Sequence, residues 1–173
     1  DLSKVREKAL AKYTLKYKKP ETINKYVEED LDKLGLSTFY NQIVSIAYKF
    51  SDDNNATVLF NQNEKELLTD YMKVLESQTR PFQFCGYYIS DFDIPQIKFP
   101  TSKYEIKDLY YDLGKLGKQQ EVAEALGVSG KLAGVNGGMV QKLYDEGQFD
   151  LIKRYNLSDV NTIYEIGESF YKI

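Results

Sequence analysis

The sequence predicts an α/β domain, a mixed sheet flanked by helices, on three observations. The stretch QIVSIAYKF (42–50) alternates and is rich in Ile, Val and Tyr. It is followed by the polar SDDNN (51–55) and by a second strand-like run, ATVLFNQ (56–62), so the two read as an antiparallel hairpin. An amphipathic segment and the apolar run FCGYYI (84–89) come next, and the remainder of the chain is amphipathic at helical spacing.

Each element has a local reason. The segment VREKALAKYTLKYKKPETINKYVEEDLDKLGL is charge-rich with spaced apolar residues and breaks at Pro20, at or near the first position of a second helix. Asn63 can cap a helix whose Leu67, Leu68, Tyr71, Val74 and Leu75 fall on one face. A Thr-Arg-Pro turn precedes FCGYYI, which should share a sheet with the hairpin. Beyond Pro100, IKDLYYDLGKLG and QQEVAEALG read as helices, the second ending at Gly127. VSGKLAGVNGG is a glycine-rich connection, MVQKLYDEG a short helix, and FDLIKRYNLSDVNTIYEIGESFYKI a long closing one. The organisation expected is a single domain over 1–173, with a helical segment at 1–40 and a core at 41–173.

Composition removes whole chemistries. There is no histidine and one cysteine, Cys85, so His-based triads, His general bases and His or thiolate zinc sites are excluded. A metal, if bound, would be held by carboxylates, which favours magnesium or manganese. The single cysteine fits a reducing, intracellular and cytoplasmic setting, and no apolar run is long enough to span a bilayer. A net charge of −3 argues against wholesale coating of polyanions, while leaving room for a small metal-bridged nucleic-acid site with local lysines.

Two stretches carry candidate chemistry. In SDFDIPQI (90–97) an apolar strand runs into Asp91 and Asp93. Either aspartate could cap the next helix, with Pro95 in its first turn, or it could be a metal carboxylate at the end of a sheet strand. In RYNLSDVNTIYEI (154–166) Tyr155 and Asp159 are four apart and share a helix face with Ile152, Ile163 and Tyr164. The alternative there is a broken helix with Ser158 or Asp159 capping its second half.

At these residues the chain resembles the 3′–5′ exonucleases of the DEDD superfamily, in the subgroup that uses tyrosine. It is most similar to those related to the proofreading domain of family B DNA polymerases. That family's second acidic motif reads roughly G-x-N-x-x-x-F-D-x-P, matched by Gly86 through Phe92, Asp93 and Pro95; its third reads Y-x-x-x-D-V, matched by Tyr155, Asp159 and Val160. The run EVAEALGVSGKLAGVNGGMVQKLYDEG looks like the family's helix, Gly-Lys turn and short helix. The resemblance covers about residue 40 to the C-terminus. It implies a ribonuclease-H-like fold and two-metal phosphodiester hydrolysis at the 3′ end of single-stranded DNA, with RNA also possible and no membrane partner. Asp93 and Asp159 would hold Mg2+ or Mn2+, Tyr155 would orient the attacking water, and Phe92 would pack on the terminal nucleotide. Tyr88, Lys131 and Arg154 would be further substrate contacts, with Pro95 stopping the strand.

The chain departs from the pattern twice. Tyr88 stands where the family has Asn, and the first acidic motif, a D-x-E on the first and central strand, is absent. Glu28, Glu29, Asp30 and Asp32 read as a solvated helix face. The expectation is therefore a sheet lacking its central strand. Three explanations remain open: an N-terminal truncation, a partner segment or chain supplying the strand, or an inactive descendant that binds nucleic acid or protein.

Overall fold

The computed structural model describes residues 2–32, 41–97 and 104–171. Two compact units divide the chain, residues 1–42 and 43–173. The first is a pair of helices, α1 (Leu2–Thr14) and α2 (Pro20–Asp32), with Pro20 opening the second as its fixed φ allows. Ala9, Ile23 and Val27 are buried between them. Tyr17 and Tyr26 stack with ring centroids 4.8 Å apart, and Arg6–Glu28 (2.5 Å) and Lys12–Asp30 (2.8 Å) bridge the two helices.

The second unit begins with the hairpin β1 (Ser45–Tyr48) and β2 (Thr57–Phe60), paired antiparallel from Ser45↔Phe60 to Tyr48↔Thr57. Helix α3 (Glu64–Glu76) follows, and the Asn63 side chain accepts hydrogen bonds from the amides of Lys65 and Glu66, as an N-cap should. Its Leu67, Tyr71 and Leu75 form a core with Ile46, against which Leu59, Leu68, Phe82 and Phe84 pack. Then come β3 (Phe84–Gly86), α4 (Asp93–Ile97), β4 (Ile106–Asp108) and α5 (Leu109–Asp112). Helix α6 (Gln119–Leu126) ends where Gly127 takes φ +68°, a left-handed conformation that glycine adopts without strain. A 3-10 turn at Gly137–Met139 leads into α7 (Val140–Asp145), and α8 (Phe149–Tyr171) closes the chain. Leu109, Val122, Ala123 and Ile166 form a second core beneath α8. No described helix is long and apolar enough to cross a membrane.

The architecture is α/β and mixed, since one strand pair is antiparallel and the other parallel. Four expectations need correction. The strand expected over 84–89 stops at Gly86, because Tyr88 holds φ +62° and turns the chain. Pro95 therefore does not end it; it is the third residue of α4. The segment IKDLYYDLGKLG does not start as a helix: Ile106–Asp108 pairs in parallel with Phe84–Gly86. The hairpin and β3 do not pair. Among the described residues there are two separate two-stranded sheets, and α8 packs against β1 and β2 of one and β3 of the other. Helix α8 itself is unbroken, so neither Ser158 nor Asp159 caps a second half.

One buried carboxylate organises the joint between the strands and the helices. Asp108 is 6% exposed and accepts three backbone N–H bonds: Oδ1 from Tyr88 (2.9 Å) and Tyr110 (3.1 Å), Oδ2 from Ser90 (2.9 Å). It caps α5 and simultaneously ties down the turn that follows β3. Asp108→Ala would orphan all three donors, with an expected loss of about 2–4 kcal/mol in urea unfolding. Asp108→Asn should cost less, since its carbonyl can keep the bonds at one oxygen position while its amide opposes the Ser90 N–H. Equal stability of the alanine variant and the wild type would remove Asp108 from this role.

Candidate active site

The turn after β3 delivers Phe92 and Asp93. Phe92 is half-buried and its N–H donates to the Tyr88 carbonyl (3.2 Å), so the strained Tyr88 backbone, the Asp108 hub and the start of α4 are one connected piece. Asp91 does not cap α4; its carboxylate accepts the Tyr111 hydroxyl. Asp93 is the first residue of α4 and faces outward. Although its surface is open to solvent, surrounding protein crowds out much of its hydration. That loss, followed by the nearby Asp159 carboxylate, pushes its pKa up to about 6. Its own backbone N–H and the Lys131 ammonium pull the other way.

Asp159 and Tyr155 lie one turn apart on α8, both half-buried. Burial and then Asp159 push the Tyr155 phenol up to about 12, so it stays protonated and able to donate a hydrogen bond at neutral pH; a hydrogen bond with the Gly137 backbone opposes the shift. Lys131 reaches Asp159 from the glycine-rich connection, with Nζ 2.7 Å from Oδ1. That oxygen is buried and accepts no aligned hydrogen bond, so the ammonium neutralises it by charge alone.

The placement of Lys131 is built from both flanking helices. Its N–H donates to Gln120 Oε1 of α6 (2.9 Å), and the neighbouring Ser129 N–H donates to Glu165 Oε2 of α8 (2.7 Å). A Cβ on Gly130 would lie 2.6 Å from the Gln120 amide nitrogen, so any larger residue there would push the Gln120 side chain aside. The buried Gln119 donates to the Asp159 carbonyl (3.1 Å), fixing α8 to α6 at the level of the site.

Asp159, Tyr155 and Lys131 are thus neighbours, and Asp93, 66 positions before Asp159, lies within electrostatic reach of Asp159 and Lys131. Phe92 and Tyr88 lie on the approach from β3. Tyr88 is exposed and packs edge-on against Tyr110 (5.1 Å). Its left-handed backbone is a conformation in which Asn is several-fold enriched and tyrosine is not. Arg154 is exposed on α8 and lines a shallow cleft with Ser129, Gly130, Leu132 and Ser158, beside the Lys131 loop. Glu28 and Asp30 of α2 are engaged by Arg6 and Lys12 within their own unit. Asp108, Gln119, Gln120 and Glu165 are the supporting residues that sequence reasoning missed; only Asp108, standing just before Leu-Tyr-Tyr, offered a signal, that of an N-cap.

A hard divalent cation suits this donor set in part. One carboxylate is raised by lost hydration and then by the other, an oxygen lacks a hydrogen bond, and an ammonium already stands against it as a charge substitute. Among the described residues, however, no group of three or more Asp, Glu or Cys side chains gathers. The described donors therefore make only part of a site for such an ion.

A family model for the RNase H superfamily matches residues 27–171, and the chain belongs to that superfamily, whose members are generally nucleases that use divalent metals. No curated protein and no solved structure matches the chain.

The raised Asp93 has a signed consequence for stability. Its pKa in the folded state, about 6, exceeds the ordinary 3.8, so between those values the folded chain holds a proton that the unfolded chain has released. Stability from this group therefore falls as pH rises through that window, and above it the ionised carboxylate is a net cost. Asp93→Asn should melt a few degrees above wild type at neutral pH and coincide with it below about pH 4. A lower melting temperature for the variant at neutral pH would contradict the crowded environment assigned to Asp93.

Proposed function

We propose that this member of the RNase H superfamily is a metal-dependent 3′–5′ exonuclease of the tyrosine-using DEDD type, acting on the 3′ end of single-stranded DNA. The observation that carries the reading is the convergence of Asp93, at the head of α4, with Asp159 and Tyr155, one turn apart on α8. Asp93 and Asp159 would hold Mg2+ or Mn2+, which when bound supplies Lewis-acid stabilisation of phosphate charge and lowers the pKa of a bound water. Tyr155 keeps its proton and can hold a water by hydrogen bonding. Phe92 offers a half-exposed ring to the terminal nucleoside, by the stacking that sequence-tolerant strand binders use. Lys131 neutralises Asp159, and it would be free to meet a phosphate oxygen if a cation took over that carboxylate.

The reading includes a further strand. Two carboxylates are half of the four that the DEDD pattern uses, and the two sheets each leave a strand edge without a pairing partner among the described residues. An extended segment bearing D-x-E, from a flanking part of the protein or from a partner chain, would pair there and complete the donor set. The second reading, an inactive module that retains the fold and binds nucleic acid or a protein, is favoured by Lys131 standing against Asp159 where a cation's charge belongs.

A time course on a 5′-labelled single-stranded oligonucleotide, with EDTA as control, separates the two. The 173-residue chain should digest very slowly or not at all. With a D-x-E strand fused or added, digestion dependent on Mg2+ or Mn2+ should appear, be abolished by Asp93→Ala or Asp159→Ala, and slow about 10²-fold in Tyr155→Phe. An intact oligonucleotide after the strand is supplied supports the inactive module.

Lys131 gives a separate test that needs no turnover. Lys131→Met leaves Asp159 uncompensated, so the variant should melt below wild type without metal. It should gain more melting temperature than wild type on addition of Mn2+, because metal now binds without displacing an ammonium. An equal Mn2+ shift in both proteins would show that no cation enters at Asp159.

A further inference from the structure

We propose that the basic ridge of α1 is the surface on which the chain carries the phosphate backbone of a single-stranded nucleic acid. This rests on the nuclease reading and names the surface by which such a protein would hold its substrate. The net charge of −3 conceals a strong segregation. Residues 1–19 contain seven Lys and Arg against two Asp and Glu, whereas residues 43–173 contain fourteen against nineteen. The unit that carries Asp93 and Asp159 is thus acidic and repels a polyanion at long range. The compensating positive charge is concentrated on α1 and the residues that follow it up to Lys19, in the other unit.

The charges on that element are arranged as a track. Lys4, Lys8 and Lys12 are spaced by four along α1, which places them on one side of the helix about 6 Å apart. Lys16, Lys18 and Lys19 extend the run beyond the helix end. Two cations of α1 are committed elsewhere, Arg6 to Glu28 and Lys12 to Asp30, and those pairs use the acidic residues of α2. Lys4, Lys8, Lys16, Lys18 and Lys19 are all exposed and make no ion pair among the described residues. Five unpaired ammonium groups within sixteen residues repel one another, a cost relieved when counter-charges are bound along the ridge.

The occupant is a nucleic acid and not a lipid surface, because α1 lacks the apolar stripe that would enter a bilayer. Its Ala9 is buried against α2; among the described residues of its exposed side only Leu10, 44% exposed, is a large apolar residue of the helix, and adding Leu15, 90% exposed just beyond it, gives too few to make a stripe. Each lysine that neutralises a phosphate of a single strand releases counterions, and this sets the salt dependence of binding at about −0.7 per contact on a log–log plot.

The test is fluorescence anisotropy of a labelled oligothymidine with the full chain in EDTA, over a series of KCl concentrations. The triple variant Lys4→Gln, Lys8→Gln, Lys16→Gln should bind more weakly, with a slope shallower by about 2. Lys65→Gln, a control on the exposed face of α3, should leave the slope unchanged. Circular dichroism melts should show no loss of stability in either variant, since none of the substituted lysines makes an ion pair among the described residues and the triple variant removes like charges. An unchanged slope in the triple variant overturns the ridge while leaving the exonuclease reading standing, and so does a wild type that binds no oligonucleotide at low salt yet still digests one. Ridge-dependent binding to phosphatidylserine vesicles with no binding to oligothymidine overturns it in favour of a membrane. Ridge-dependent oligonucleotide binding without digestion under any metal or strand condition keeps the ridge and sinks the exonuclease.

Discussion

The Asp108 carboxylate is the constraint on which the rest of the site depends. A short parallel pair, Phe84–Gly86 with Ile106–Asp108, is by itself a weak anchor for a functional loop. Asp108 converts it into a rigid joint by accepting N–H groups from two segments at once, Tyr88 and Ser90 after β3 and Tyr110 at the start of α5. A buried carboxylate is costly unless its lone pairs are used, and three backbone donors use them. The same bond that holds Tyr88 at φ +62° sets where the chain goes next, and hence where Asp93 emerges. The strain at Tyr88 is sustained because its surroundings over-determine it.

The second constraint is charge balance. Loss of hydration and then the nearby Asp159 carboxylate oppose the ionisation of Asp93, and its own backbone N–H and the Lys131 ammonium offset this in part. Gln120 and Glu165 hold the Lys131 loop through backbone amides, so the ammonium is placed by the scaffold and not by its attraction to Asp159 alone. An arrangement of that kind stores repulsion that a divalent cation could relieve. This separates it from an ordinary surface ion pair, whose two partners are both solvated and gain little from meeting.

What the sequence disclosed follows from which forces are local. Pro20, the Asn63 cap, Gly127 and the hairpin at 45–60 were legible because each rests on backbone preference or on periodicity within a few residues. Tyr155 and Asp159 were legible as a pair through helical spacing, and Asp93 through a carboxylate following an apolar run. The β4 strand was not, because three residues carry no period of their own and pair only with a partner twenty-two positions away. The early end of β3 was hidden for the same reason, since the left-handed turn at Tyr88 is imposed by Asp108 and not by any preference of tyrosine. Gln119, Gln120 and Glu165 look in sequence like any polar residues of exposed helices, and only tertiary contact shows what they hold.

Helix α8 resolves the apparent weakness of a sheet in two pieces. It packs against the hairpin, β3, α6 and α7 alike, and over its 23 residues it carries both Tyr155 and Asp159. Asn156 donates to the Ser45 hydroxyl (2.9 Å) on the hairpin side, while Ile166 is fully buried against Leu109 and Ala123 on the other. The two strand pairs therefore keep a common reference although they share no backbone hydrogen bond. A strand inserted beside β1 or β3 would meet edges already oriented by that helix, so it would add donors to the site without having to assemble it. The geometry of Asp159 and Tyr155 is consequently a property of α8 and its packing, and it is in place whether or not the sheet is continuous.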